Sequence, residues 1–163
     1  MRWIWSVPSH RGAAAGGGGV DRPRAGGQAR GMTALPDELV ALLKDASPCF
    51  LATIEPDGAP QLTQTWVDTD GEHVLINTVD GHRKLANVAR DPRVMVNVCD
   101  RDDVRRYWAL RGHVVETTAE GAGEHIEELS QRYTGGSYQD YGRRSGSRVI
   151  VRIAVDKVVQ KPW

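Results

Sequence analysis

Apolar residues are scattered without period over the first 31 positions, and from Leu35 they fall into order. Leu35, Leu39, Leu42 and Leu43 recur at the three- and four-residue spacing of one helix face. Pro36 suits a first helical position, Asp37 and Glu38 suit the first turn, and Pro48 stops the helix near Ser47. The apolar run at 49–54 then predicts a strand, closed by the turn sequence Glu55-Pro56-Asp57-Gly58. Residues 60–68 read as a second strand, Asp70-Gly71 as a hairpin turn, and 73–78 as a third strand. Three strands joined in this way predict a meander.

A short helix is predicted after Gly81, followed by strands at 93–99 and 107–118. Gly112 lies inside the second of these, where a bulge or bend is expected. Residues 121–133 have helical spacing, with Ile126, Leu129 and Tyr133 on one side. A loop rich in Gly, Ser and Tyr covers 134–147 and could form a mobile lid. The last strand, 147–159, alternates Val149, Val151, Ile153 and Val155 with Arg148, Ile150, Arg152 and Ala154. The reading is mainly β, of the α+β class: a six-stranded antiparallel barrel with flanking helices, whose closure removes exposed edges.

Composition separates a tail from this domain. Residues 1–31 hold eight of the 18 glycines and few side chains that could pack, so they are read as a disordered Gly/Arg-rich tail. Met32 directly precedes the patterned part and is read as the natural start, with the tail an upstream extension and 32–163 the folded domain. A peptide from residues 11–24 in the native protein, found by mass spectrometry, would refute that reading. The tail carries five Arg against Asp21, so the net zero charge of the whole chain leaves a mildly acidic domain. Such a domain lacks the basic footprint of a nucleic-acid binder. No apolar run approaches a membrane span, and the first residues do not form a secretory signal. Cys49 and Cys99 sit in apolar strands and are expected to be free buried thiols, which makes the cytoplasm the default location.

Candidate chemistry concentrates at 81–96, GHRKLANVARDPRVMV. A helix N-terminus presents unpaired N–H groups and partial positive charge, which attract anions. Arg83 and Lys84 would add charge where the dipole disfavours it, which points to an anionic ligand. An exposed basic helix start, or an Arg83 paired with Asp80 or Asp91, is the plainer alternative. Other chemistries lack their motifs. There is no Walker-type loop and no G-x-S-x-G elbow, and the five histidines and two cysteines have no ligand spacing, so no metal is expected.

The run LATIEPDGAPQLTQTWVDTDGEHVLINT leading into GHRKLANVARDPRV resembles the split β-barrel flavin and deazaflavin oxidoreductases, the superfamily of pyridoxamine 5′-phosphate oxidase. RYWALRGHVVETTAEGAGEHIEELSQRYTG, at 106–135, is similar to its branch of probable F420-dependent enzymes. The resemblance spans about 33–160 and implies an FMN-binding split-barrel type of fold, assembled as a homodimer with cofactor clefts at the interface. It implies a phosphate end held by Arg83 and Lys84, with His82 and Asn87 alongside. It puts the ring against Gln64, Trp66, Asn77 and Thr78, with Tyr107, Trp108 and Trp163 as candidates supplied across the interface. Two departures, His82 and Ala86, remove permanent charge that relatives carry there. The implied activity is hydride transfer from reduced coenzyme F420 to a small conjugated electron-poor substrate. FMN is the alternative cofactor, and a non-catalytic flavin or tetrapyrrole carrier the alternative role.

Overall fold

The computed structural model describes residues 31–141 and 146–161. Residues 1–30 of the tail, residues 142–145 of the proposed lid, and 162 and Trp163 lie outside them, and the side chains of 140 and 141 are likewise not described. Helix α1 (Asp37–Lys44) buries Leu39 and Leu43, and its acidic first turn and basic last turn match the helix dipole. Strands β1 (Cys49–Ile54) and β2 (Pro60–Thr65) pair antiparallel from Cys49 opposite Thr65 to Ile54 opposite Pro60. Strands β3 (Val67–Thr69) and β4 (Val74–Val79) pair across the Asp70-Gly71 turn, and every residue of both is buried. Then follow α2 (Arg83–Arg90), β5 (Arg93–Cys99), β6 (Tyr107–Thr118), α3 (Ala122–Thr134), a single turn α4 (Tyr138–Tyr141) and β7 (Arg148–Gln160).

The sheet order is β2-β1-β5-β6-β7-β4-β3, all antiparallel. This corrects two expectations. The described residues form seven strands rather than six, because the run predicted at 60–68 breaks at Trp66 into β2 and β3. Its halves lie at opposite ends of the sheet order, so the predicted meander is instead a sheet curled into a half-barrel. Both halves are extended and nothing in their composition marks the corner. The second point at which the sheet turns was legible: the β6–β7 register shifts between Arg111 and Gly112. A Cβ at Gly112 would collide with the Ala154 carbonyl oxygen, so the close approach needs glycine.

The core lies inside the curl and under α1, with Leu51, Val67, Ile76, Val96, Leu110 and Ile153 among its fully buried members. Cys49 is buried and free, and Cys99 is partly buried and free. Burial pushes the Cys49 thiol well above its ordinary value, which keeps it protonated. Among the described residues, no helix is long and apolar enough to cross a membrane.

Candidate functional site

Helix α2 starts where its sequence predicts. Gly81 takes φ +78°, which a glycine adopts without strain, and His82 caps the helix with no side-chain bond to its N–H groups. The helix is held to the sheet at its far end. Asn87 Nδ2 donates to Thr53 Oγ1 at 3.0 Å, and Thr53 Oγ1 donates to Gln61 Oε1 at 2.9 Å. Arg90 donates to the Ile54 carbonyl. Asn87 is therefore fully engaged in fixing α2 on β1 and β2.

The two basic residues at the helix start have opposite surroundings. Arg83 is exposed and pairs with Glu55 at 3.4 Å, rather than with Asp80 or Asp91. Lys84 is only 8% exposed, and no hydrogen bond or ion pair reaches it among the described residues. Burial, and then the positive charge of Arg148, pull its ammonium below the ordinary lysine value. His82 Nδ1 sits 3.2 Å from Thr78 Oγ1.

Between β2, β4, β7 and α3 lies a cleft of about 490 Å³. Gln64, Trp66, Asn77, Tyr133, Tyr138 and Arg148 line it. Trp66 stacks on Tyr133 with ring centres 5.3 Å apart and planes 18° from parallel, and Tyr138 meets it edge-on at 6.4 Å. Tyr133 is locked in place: its hydroxyl donates to the Ser47 carbonyl at 2.8 Å and accepts from Val67 N–H at 3.2 Å. Burial pushes that phenol up to about 12, so it stays protonated and is poorly suited as a proton donor. Arg148 Nε donates to Asn77 Oδ1 at 2.7 Å, and its Nη1 donates to the Tyr138 hydroxyl at 3.0 Å. No carboxylate pairs with Arg148 among the described residues, and burial draws its guanidinium below the ordinary value.

The structure thus brings Gln64, Trp66 and Asn77 together in one cleft. Lys84 is close enough to its cationic wall to feel Arg148. Thr78 and His82 stand apart from that cleft, His82 on the rim of a broader depression of about 680 Å³ between α2 and β6. That depression is larger, but its charged rim groups include Asp80 and Glu116, which do not suit an anion. Trp108 is a correction: at 4% exposure it is packed in the core rather than offered to a ligand, because β6 turns that side chain inward. Sequence reasoning missed Arg148. It alternates with apolar residues beside Arg152 and reads there as part of a solvated strand face.

An antiparallel half-barrel with a cationic, aromatic cleft between β2, β4, β7 and α3 defines a split β-barrel protein. The sequence profile of the family named pyridoxamine 5′-phosphate oxidase matches residues 35–161, and the chain belongs to that family, whose members are generally flavin-binding oxidoreductases. Among solved structures, an F420 reductase is similar at 28% identity and TM-score 0.61, over 74% of this chain and 95% of that one. A conserved hypothetical protein from Mycobacterium tuberculosis is similar at 27% identity and TM-score 0.60, over 78% and 84%. A putative pyridoxamine 5′-phosphate oxidase from Listeria innocua shares the fold at 21% identity and TM-score 0.57, over 75% and 94%.

Proposed function

We propose that the protein is an oxidoreductase that uses reduced coenzyme F420 and passes a hydride to a small, conjugated, electron-poor molecule. The observation that carries the reading is a buried lysine, Lys84, beside a half-buried arginine, Arg148, at an aromatic cleft, neither with a carboxylate partner among the described residues. Burying a charge without a counter-charge is costly, so a site that keeps one beside a second, half-buried cation is matched to an anion that arrives from outside. The acidic tail of a deazaflavin or the phosphate of FMN fits that requirement. Likeness to an F420 reductase favours the deazaflavin, and the family as a whole keeps FMN as the alternative.

When bound, the cofactor supplies the hydride chemistry. The protein's own part is placement. Lys84 and Arg148 would hold the acidic end, with Arg83 adding exposed charge at the helix start. Trp66, clamped on Tyr133, offers a flat apolar wall for a ring, and Gln64 and Asn77 supply polar edges near it. Holding two reactants together in this way provides much of the acceleration available to such a reaction.

The reading includes a homodimer. On the outer face of the sheet, Leu62 of β2 and Met95 of β5 both stand opposite Ala52, and they are 66% and 41% exposed. Gln64, two residues from Leu62, shares that face and borders the cleft, so a second copy seated there would wall the cleft's open side. Leu62→Asp is expected to shift the mass measured by light scattering from dimer toward monomer. A wild-type monomer would remove the dimer from the proposal. The free cysteines agree with a reducing cytoplasm.

Titration of the purified protein with F420 and with FMN, followed by ring fluorescence, tests the cofactor. Saturable quenching by F420 and oxidation of its reduced form on addition of an enone or quinone are expected. Binding without turnover across such a panel would instead leave a carrier, and preference for FMN would move the protein to the alternative cofactor.

A further inference from the structure

A line of polar groups runs from the cleft into the protein, and its chemistry fixes where one proton sits. Arg148 has only N–H donors, so the Asn77 atom 2.7 Å from its Nε must be the amide oxygen. The Asn77 nitrogen then points inward, donating to the Ala122 carbonyl at 2.8 Å and lying 3.3 Å from His125 Nδ1. An amide NH₂ cannot accept, so Nδ1 must present its lone pair, and the proton of the neutral ring belongs on Nε2. Nε2 in turn lies 3.3 Å from Asp68 Oδ2, an off-axis polar contact rather than a well-aligned hydrogen bond. Every donor along the line points the same way, from the guanidinium to the carboxylate.

We infer that Arg148 is the cleft's receptor for an acidic group, phosphate or carboxylate, and that His125, anchored on Asp68, is the residue that positions it through Asn77. The inference rests on the cleft being a ligand site. Among the described residues the hydrogen-bond partners of Arg148 are neutral: the Asn77 amide and the Tyr138 hydroxyl, with the guanidinium 5.0 Å from the centre of the Tyr138 ring. Those contacts use only part of its donor fork, and the rest lies at the cleft wall, suited to grip two oxygens of one anion. His125 touches no ligand in this scheme. By presenting a lone pair to Asn77 it fixes which end of that amide faces Arg148, and so where the fork points.

Three measurements on the full chain test this. Nitrogen chemical shifts of His125 in the ligand-free protein at neutral pH should report the proton on Nε2; a proton on Nδ1 would overturn the positioning role. Addition of inorganic phosphate, and separately of acetate, should move the Arg148 Nε–H resonance in wild type. The stronger response identifies which acid group is preferred, and no response to either anion would overturn the receptor. Finally, FMN and riboflavin share a ring and differ in phosphate. Arg148→Gln should weaken FMN about ten- to a hundredfold and leave riboflavin within about twofold; equal loss for both ligands would mean that Arg148 merely supports the fold. His125→Gln, which removes the acceptor facing Asn77, should reproduce part of the FMN loss, and His125→Asn, which restores an oxygen near the Nδ1 position, should recover it. Should neither variant alter FMN binding while Arg148→Gln does, the positioning role fails and the receptor remains. If wild type binds neither FMN nor F420 but phosphate still moves Arg148, the oxidoreductase reading falls and the receptor stands.

Discussion

Asp68 and Arg148 stand at opposite ends of one run of polar contacts, and their surroundings are opposite in kind. Asp68, 4% exposed, is surrounded by cations and donors: the charged Lys44 at 3.0 Å and Arg132 at 3.2 Å, the His125 ring at 3.3 Å, and the Thr69 N–H at 2.8 Å. Arg148 and its neighbour Lys84 have no carboxylate at all among the described residues. A buried charge that is satisfied internally serves the fold, whereas under the proposed function the open ones await an anion from outside. The same contrast separates Arg83, paired and exposed, from Lys84, buried and without a counter-ion among the described residues, although they are adjacent in sequence.

Breaking the satisfied end should have the largest effect. Asp68→Asn leaves Lys44 and Arg132 crowded together without their counter-ion and is expected to cost about 3–5 kcal/mol in denaturant unfolding. The wild-type pH dependence follows from the same group. Burial alone would raise the Asp68 pKa, but contacts from His125, Arg132, the Thr69 N–H and Lys44 outweigh it and hold the carboxyl well below the usual range. A depressed folded pKa contributes stability that is complete above the unfolded value of about 3.9 and is lost as pH falls through the folded value. Urea midpoints should therefore drop below about pH 4, and Asp68→Asn should flatten that drop.

The open end should respond with the reverse sign. Lys84→Met removes a buried, uncompensated charge, so the ligand-free protein is expected to gain about 1 kcal/mol while losing roughly tenfold or more in FMN or F420 affinity. Loss of stability instead would show that Lys84 is satisfied in solution. Between these extremes, Tyr133→Phe strands the Val67 N–H and the Ser47 carbonyl and should cost about 1 kcal/mol in thermal unfolding. Arg83→Ala should change stability by no more than about 0.5 kcal/mol, because its ion pair is largely exposed.

Much of this architecture was legible in the residues because local rules and tertiary packing agree there. Pro36, Pro48 and the apolar spacing set α1, Gly112 announced the bulge in β6, and Gly81 followed by two basic residues announced the start of α2. The corner at Trp66 was hidden because β2 and β3 have the same extended alternation, and only the closure of the sheet assigns them to different ends. The site was legible where charge stood out, at Lys84, and silent where the meaning depends on the partner. His125 sits among Glu124, Glu127 and Glu128, outside the set Ile126, Leu129 and Tyr133 that marks the helix's apolar side in the sequence, and its contact with β3 and β4 makes it a buried link. Trp108 erred in the other direction, since a large aromatic ring signals core as readily as it signals stacking.

The corner at Trp66 also governs how this molecule comes apart. Its two outermost strands are one covalent run, so fraying at either margin tugs on the other through a single residue that also forms the wall of the cleft. Loosening of the margins and loosening of the cleft wall are thereby linked, and any molecule that pressed against that indole would act as a rivet for both edges of the sheet.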